Sequence, residues 1–163
     1  MELEKLFEEI EVQTEILQEL LQVLERETAE MGDVNITAMN LSNQTKEELI
    51  VRIAEHTPHL QKAVSAFAVN KGLSESATLG VVAKHVAKSG NQQLLTKQQR
   101  IHTTAERVQQ VSALNKEIAE RFASSITSSL GLITRLVNQS NIYGASGGYQ
   151  LRPAGAVMIN REA

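Results

Sequence analysis

The chain of 163 residues has no cysteine, no tryptophan and only two prolines, and aromatic side chains make up 3% of it. The lack of cysteine excludes disulfide bonds, thiolate metal sites and a cysteine nucleophile. The scarcity of proline leaves long stretches free of helix breakers, and the scarcity of aromatic residues argues against a β-sandwich or a β-barrel. Because hydrophobic residues still account for 42% of the chain, the composition predicts an all-α protein with an aliphatic core.

Long apolar runs are also missing, and no stretch approaches the eighteen or more residues of a membrane-spanning helix. The sequence starts MELEKLFEE, which lacks the basic start and the apolar run of a signal peptide. Basic residues are scattered and are not interleaved with aromatic ones, a pattern that does not favour nucleic-acid binding. We therefore expect a cytoplasmic protein that neither enters a membrane nor binds nucleic acid.

Charge is distributed unevenly along the chain. The first 33 residues carry eleven acidic and two basic side chains, a net charge of −9, and the remainder carries eight acidic and fourteen basic ones, +6. This asymmetry predicts that an acidic first helix packs beside basic faces of the other helices and that the charges help to set their register. An acidic surface offered to a basic partner is the alternative.

The first segment has a heptad pattern, in which apolar residues recur at alternating steps of four and three. Its members are Leu3, Phe7, Ile10, Thr14, Leu17, Leu21, Leu24, Thr28 and Met31. A second row of Leu6, Ile16, Leu20 and Val23 widens the apolar stripe beyond that of a two-stranded coiled coil. The pattern predicts a long helix of a helical bundle that ends at Gly32–Asp33.

The next segment predicts shorter helices. A helical pattern runs from about residue 34 to 56, and Thr45 with Glu48 could form a capping box that starts a new helix there. Pro58 disfavours helical geometry at the residue before it, so we expect a kink or break there. A short helix over residues 60–67 should then end by Gly72.

Residues 74–89 predict one further short helix across the end of the bundle. Ser74 or Ser76 would cap its start, and Gly90 would stop it.

The longest helical pattern runs from about residue 91 to 139 and contains a second heptad seam. Its members are Leu94, Gln98, Ile101, Ala105, Val108, Ser112, Asn115, Ala119, Phe122, Ile126, Ser129, Ile133 and Leu136. Asn115 is the unusual member, because a buried asparagine at such a position fixes register at some cost in stability. The two seams should pack on each other. Residues 1–139 are thus predicted to form an antiparallel helical bundle with two long outer helices and shorter middle helices.

Residues 140–163 differ in composition from the rest of the chain. They hold four of the nine glycines, one of the two prolines and both tyrosines, and they show no sustained helical period. Apolar residues nevertheless occur among them, at Ile142, Tyr143, Tyr149, Leu151 and 157–159. This composition is typical of a flexible tail that becomes ordered on a partner.

Candidate catalytic and metal-binding residues are few. His56 and His59 are three residues apart, but Pro58 lies between them and disrupts the shared helix face that a metal site would need. The glycine-rich run 144–148 lacks the lysine and the following helix of a phosphate-binding loop. We therefore predict no catalytic residue, no metal and no cofactor, and we expect that the protein is not an enzyme.

The end of the long helix and the start of the tail resemble the FlgN family of flagellar type III export chaperones. The similarity rests on LNKEIAERFASSITSSLGLITRL (residues 114–136) followed by NIYGASG (residues 141–147). In that family a long helix with an asparagine, here Asn115, ends shortly before a Tyr-Gly-x-x-Gly segment, here Tyr143, Gly144 and Gly147. Lys46 resembles a Lys-x-x-Leu feature of the family's second helix. Residues 72–90 and 155–163 match no feature of the family.

The resemblance implies a function without catalysis. FlgN-like proteins are cytosolic, bind the C-terminal helical ends of the hook-associated (hook–filament junction) proteins FlgK and FlgL, keep them soluble and present them to the export apparatus. The candidate partner-binding residues lie in the tail: Tyr143, Gly144, Gly147, Tyr149, Leu151, Val157, Met158 and Ile159. Three alternatives remain open: a client-free, self-assembling coiled-coil protein, which would be a homo-oligomer; a chaperone of another secretion client; and, more weakly, a bundle enzyme or metal protein.

Overall fold

The computed structural model describes the backbone of residues 2–140 and the side chains of residues 2–137. These residues form four α-helices and no strand: α1 (Glu2–Gly32), α2 (Ile36–Asn70), α3 (Leu79–Lys88) and α4 (Gln93–Ser140). The predicted all-α fold with long helices at its start and end is therefore confirmed.

Two compact units divide the chain, Met1–Ala119 and Glu120–Ala163, and α4 contributes to both. The first unit contains α1, α2, α3 and the first part of α4. The boundary that the sequence predicts at residue 140 lies at the edge of the described residues and stays a prediction.

The buried face of α1 centres on the second apolar row of the sequence. Leu6, Ile16, Leu20 and Val23 are all buried, whereas about half of the predicted heptad seam, Leu3 among them, is only half-buried. The face also contains polar side chains that the apolar pattern did not mark. One of them, Glu27, belongs to the candidate site described below.

The corner between α1 and α2 is tight. Helix α1 ends at Gly32 as predicted, and Val34 then adopts a φ of +53°, which is unusual for a β-branched residue. Asn35 caps α2, because its side-chain oxygen accepts a hydrogen bond of 3.1 Å from the backbone N–H of Ala38.

Helix α2 is one continuous helix of 35 residues with Pro58 inside it, so the predicted break at Pro58 is wrong. Packing against α1 on both sides of the proline outweighs its intrinsic penalty. Thr57 donates a hydrogen bond of 2.7 Å to the carbonyl of Ile53 at this place. The capping box of Thr45 and Glu48 is also wrong, because Thr45 donates to the carbonyl four residues earlier within the same helix.

Helix α3 starts later than predicted. Its N-cap is Thr78, whose hydroxyl accepts a hydrogen bond of 3.4 Å from the N–H of Val81. Ser74 and Ser76 instead hydrogen-bond to each other in the preceding loop, at 2.8 Å. The predicted stop is confirmed, since α3 ends at Lys88 and Gly90 follows with a φ of +94°, a conformation that favours glycine.

Two apolar clusters hold the first unit together, and α1 contributes to both. One joins all four helices through Leu6, Ile10, Ala63, Val64, Phe67, Ala68, Val82, Ala83, Val86 and Leu94. The other joins α1, α2 and α4 through Ile16, Leu20, Val23, Leu24, Leu49 and Val111. Helix α3 therefore closes one end of the bundle, and the other end has three helices.

Acidic side chains of α1 pair with basic side chains of both neighbouring helices, as the charge asymmetry predicted. The pairs are Glu27–Lys46 and Glu19–Arg52 with α2, and Glu11–Lys97, Glu11–Arg100 and Glu25–Arg107 with α4. As residue numbers increase along α1, the numbers of the paired residues decrease in α2 and increase in α4. Helices α1 and α2 are thus antiparallel, and α1 and α4 run in the same direction.

Candidate functional site

A polar cluster joins α1, α2 and α4 in the first unit, and its central members, Asn115 and Glu27, are only 6% and 7% exposed. The Asn115 side-chain amide donates hydrogen bonds of 2.8 Å to the carbonyl of Leu24 and to Oε2 of Glu27. Thr28 donates a hydrogen bond of 2.6 Å to Oδ1 of Asn115. Lys46 of α2 donates to the other carboxylate oxygen of Glu27. Every polar atom of the Asn115 side chain therefore has a partner on α1.

This cluster fixes how α4 lies along α1. If either helix slid along the other, the buried Glu27 carboxylate and the Asn115 amide would lose their hydrogen-bond partners. An unpaired buried polar group costs about 1–3 kcal/mol, or more when charged. Asn115 occupies the buried position that its heptad placement indicated. Glu27 was missed by the sequence reasoning, although it follows Leu20 and Leu24 and precedes Met31 at helical spacing.

A groove of about 450 Å³ lies beside the polar cluster, between α2 and α4. Apolar side chains form about half of its lining: Leu20, Leu24, Met31, Met39, Ile50, Val108 and Ala119. Glu27, Lys46 and Asn115 supply polar groups at its surface. Such a groove can accept apolar side chains of a partner, and its methionines can adapt to their shape.

A second surface lies on the part of α4 that belongs to the second unit. We call it the α4 stripe, and it consists of Phe122, Ile126, Leu130, Ile133, Leu136 and Val137. At 3.6 residues per turn these positions share about one third of the helix circumference. All six side chains are exposed, from 41% at Phe122 to 58% at Ile126. The opposite side of the same helix carries Ser124, Ser128, Gly131 and Arg135.

The α4 stripe continues the heptad seam that holds the earlier part of α4 in the bundle. Buried Leu94 and Asn115 are members of this seam, as are exposed Phe122, Ile126 and Ile133. Helix α1 ends at Gly32, four residues after Thr28, which contacts Asn115. The seam residues after Asn115 keep the spacing of a helix–helix contact, but they are exposed to solvent. Exposed apolar residues at such a spacing are typical of a protein-interaction surface.

The partner-binding residues predicted in the tail all lie outside the described residues: Tyr143, Gly144, Gly147, Tyr149, Leu151, Val157, Met158 and Ile159. The α4 stripe was not named as a binding site from the sequence, although four of its six residues, Phe122, Ile126, Ile133 and Leu136, were recognised as seam members. Their exposure could not be foreseen, because a heptad pattern does not say whether a partner helix is present.

The histidines of α2 contact α1 and each other. The ring nitrogens of His56 lie 2.6 Å from Oε1 of Gln13 and 2.8 Å from Oε2 of Glu9, and its ring stacks on that of His59 at 6.1 Å. Among the described residues, no three His, Asp or Glu side chains are grouped so that they could hold a metal ion. Within the same part of the chain, none of the helices has the length and apolar character needed to cross a membrane.

Comparison with known proteins places this architecture in a family. The family model described as "FlgN protein" matches residues 1–150, which include all four helices and the Tyr143–Gly147 segment. Neither the curated proteins nor the solved structures contain a match to the chain. The family match agrees with the resemblance carried by Lys46, Asn115 and Tyr143, and it covers nearly the whole chain. The chain therefore belongs to the FlgN family of flagellar export chaperones.

Proposed function

We propose that the protein is a cytoplasmic chaperone of the hook-associated proteins FlgK and FlgL, binds their C-terminal helical ends, keeps them soluble and passes them to the export apparatus. The observation that carries this proposal is the exposed α4 stripe. A helical client end has an apolar face of its own that would otherwise cause aggregation. When the two apolar faces pair, both are buried, and this protection of the client requires binding but no catalysis.

The spacing of the α4 stripe suits a helix as the bound element. Its residues recur at steps of three and four, so an amphipathic client helix can place its own apolar side chains between them. Burying one leucine or isoleucine side chain contributes about 1.5–3 kcal/mol, and association costs several kcal/mol of lost freedom. A stripe of six such residues can therefore supply enough apolar burial to offset the cost of association.

The tail residues extend this surface in the proposal. Tyr143, Leu151 and residues 157–159 follow α4 directly in sequence, and Gly144 and Gly147 belong to the family's Tyr-Gly-x-x-Gly segment. A tail next to the stripe could enclose the exposed side of a bound client helix. We assign Asn115 a structural role, because its hydrogen bonds are made within the bundle.

The test compares two triple variants of the full chain. Ile126→Gln, Leu130→Gln and Ile133→Gln together make the stripe polar while keeping good helix formers. Ser124→Gln, Ser128→Gln and Arg135→Gln introduce the same residue on the opposite side of the same helix. Affinity for purified FlgK and FlgL is measured by calorimetry, and helix content by circular dichroism.

We expect the stripe variant to lose at least about thirtyfold in affinity, which corresponds to about 2 kcal/mol, and the control to bind as the parent does. Both should keep their helix content, because the replaced side chains are already exposed. Unchanged client binding by the stripe variant would exclude this surface. Failure of the parent chain to bind either protein would exclude these clients and leave another secretion client.

Self-assembly is the second candidate function, because the exposed heptad spacing of the α4 stripe would also suit a second copy of the chain. Analytical ultracentrifugation without a client separates the two. A molecular mass that rises with concentration in the parent and not in the stripe variant would favour the self-assembling coiled coil. A constant monomer mass would favour the chaperone.

A further inference from the structure

The groove between α2 and α4 is lined by three rows of residues that share one spacing. Each of α1, α2 and α4 contributes four lining residues at steps of four, three and four. The rows are Leu20, Leu24, Glu27 and Met31 on α1, Met39, Asn43, Lys46 and Ile50 on α2, and Val108, Ser112, Asn115 and Ala119 on α4. This is the heptad spacing by which helices pack into one another. The groove therefore matches the surface that a helical bundle offers to one more helix.

The floor and the walls of the groove differ in exposure. The α1 row forms the floor and is buried. On the walls, Ile50 is 55% exposed, and Asn43, Ser112 and Ala119 are exposed as well. Each row covers about 16 Å of helix, or about three turns, at 1.5 Å per residue. A partner helix of this length can therefore contact both walls.

The third residue of each row is polar, and these three residues are the central members of the polar cluster: Glu27, Lys46 and Asn115. Lys46 donates a hydrogen bond to Glu27. An ammonium group has three N–H donors, and this contact uses one of them. The Lys46 side chain is 21% exposed and lines the groove. Lys46 can therefore donate a further hydrogen bond to a group that lies in the groove.

The charge of the groove favours an acidic group at this level. Among the described residues that line it, Glu27 is acidic and Lys46 and Lys116 are basic, a net charge of +1. One carboxylate on a bound helix would bring this charge to zero. Hydrogen bonds between an ammonium and a carboxylate are shorter and stronger than those between neutral groups, whereas a lysine brought to the same place would be repelled by the two ammonium groups.

We propose that the groove binds an amphipathic helix of a partner protein in which one aspartate or glutamate, placed at the level of Lys46, interrupts an apolar stripe. The apolar side chains of that helix pack between the rows of the groove. Its carboxylate accepts a hydrogen bond from Lys46 and sets the register, as a single polar residue does in a coiled coil. The groove lies in the first unit of the chain, and its occupant is defined without reference to FlgK, FlgL or the α4 stripe.

A second copy of the chain is a poorer occupant than such a partner. The α1 row has the required pattern itself, since Glu27 interrupts the apolar residues Leu20, Leu24 and Met31 at heptad spacing. All four side chains are buried in the floor of the groove. A folded second copy therefore cannot offer this row.

Synthetic helices test the need for a carboxylate. The probe is a helical peptide of about fifteen residues, with leucine at the heptad positions on both sides of a central glutamate, so that it fits the groove in either direction. Two matched peptides have glutamine or lysine at the centre. Affinity for the full chain is measured by fluorescence anisotropy. We expect the glutamate helix to bind about tenfold more tightly than the glutamine helix, and the lysine helix to bind most weakly.

A matched pair of variants tests the position of the site. Ile50 and its neighbour Val51 are 55% and 54% exposed, but only Ile50 is among the residues that line the groove. Ile50→Gln should weaken binding of the glutamate helix about fivefold, because apolar burial is lost. Val51→Gln should bind as the parent does, and so should the stripe variant described above.

Two further variants test the role of charge. Lys46→Gln should remove the difference between the glutamate and glutamine helices, and circular dichroism checks that this variant keeps its helix content. Because Lys46 also pairs with Glu27, Asn43→Glu provides a test that leaves this pair intact. It adds a negative charge to the same wall and should weaken the glutamate helix about threefold without weakening the lysine helix. Gln44→Glu places the same charge at an exposed residue beside the groove and is the control.

Four results would overturn the proposal: no binding of any peptide at millimolar concentration, equal affinities of the glutamate and glutamine helices, equal effects of Ile50→Gln and Val51→Gln, or loss of peptide binding in the stripe variant. A molecular mass that rises with concentration in the parent and not in Ile50→Gln would identify a second copy as the occupant and would also overturn it. Because no client is present, these outcomes are independent of the binding test with FlgK and FlgL. Failure of the parent chain to bind those proteins would leave the groove site standing.

Discussion

Asn115 on α4 and Glu27 on α1 are joined by a buried hydrogen bond of 2.8 Å, although 88 residues separate them in sequence. The same carboxylate binds Lys46 of α2 through its other oxygen. One glutamate thus ties three helices together at the end of the bundle that lacks α3.

Replacing Asn115 by alanine should destabilise the protein by about 2–3 kcal/mol, because a carboxylate oxygen of Glu27 and the carbonyl of Leu24 then lose a buried donor. Urea unfolding followed by circular dichroism measures the loss. Ser112→Ala, at an exposed position one turn earlier, should change stability by less than about 0.5 kcal/mol. Equal effects of the two substitutions would contradict a special role for the cluster.

Pro58→Ala should stabilise the protein. A proline inside a helix costs about 3 kcal/mol relative to alanine, and the greater freedom of the unfolded alanine chain offsets part of this difference. We expect a net gain of about 1–2 kcal/mol in the free energy of unfolding. Gln61→Ala, an exposed change one turn later in α2, serves as the control and should have little effect. A loss of stability in Pro58→Ala would mean that the proline fits a local geometry that alanine cannot keep.

Val34→Gly should also stabilise the protein, by about 1 kcal/mol, because it relieves a left-handed backbone conformation that costs a non-glycine residue about 1–2 kcal/mol. Little packing is lost, since Val34 is 60% exposed. The matched control is Val51→Gly, at a similarly exposed position in the interior of α2. There glycine should destabilise by about 0.5–1 kcal/mol. The prediction fails if both glycines lower the thermal midpoint.

Glu11 should make part of the stability dependent on pH. The hydrogen bond from Lys97, together with the charges of Lys97 and Arg100, holds the pKa of Glu11 below its ordinary value, against an opposing effect of desolvation. A lowered pKa means that the folded protein binds the proton less readily than the unfolded chain. This contribution is therefore present above the ordinary glutamate pKa of about 4.3 and is lost as the pH falls through the lowered value.

Glu11→Gln should accordingly cost about 0.5–1 kcal/mol at neutral pH, as expected for a partly exposed ion pair. The difference from the parent protein should vanish in strong acid. Urea unfolding at several pH values measures it, and Glu15→Gln, at an exposed position of α1, is the control. A difference that stayed constant down to strong acid would exclude Glu11 as its source.

The sequence predicted the positions of helices correctly where the apolar periodicity and the residues at the helix ends agreed. The prediction failed where contacts between helices determine the local structure. The end of α1 at Gly32 and the course of α4 followed from the heptads and glycines. The break predicted at Pro58 was wrong because the cost of a proline within a helix can be read from the local sequence, whereas the packing against α1 that outweighs this cost cannot.

The candidate site shows the same division. Asn115 was identifiable, since a polar residue in an apolar seam is conspicuous. Glu27 was hidden among the other glutamates of α1, and only the position of Lys46 and Asn115 in space distinguishes it. The exposure of the α4 stripe depends on which helices pack beside it, a property that no single segment encodes.

The parallel course of α1 and α4 has a consequence for how the protein folds. Contacts between α1 and α2 close short loops, since Glu27 and Lys46 are 19 residues apart in sequence, whereas Lys97 lies 86 residues from Glu11. Because the entropy of loop closure rises with loop length, we expect the α1–α2 hairpin to form first and α4 to dock afterwards. Asn115→Ala should then accelerate unfolding and leave the folding rate nearly unchanged, which stopped-flow measurements can check. The last step of folding would thus be the one that aligns the helix bearing the α4 stripe, so a newly made chain would complete its hairpin before it could engage a client.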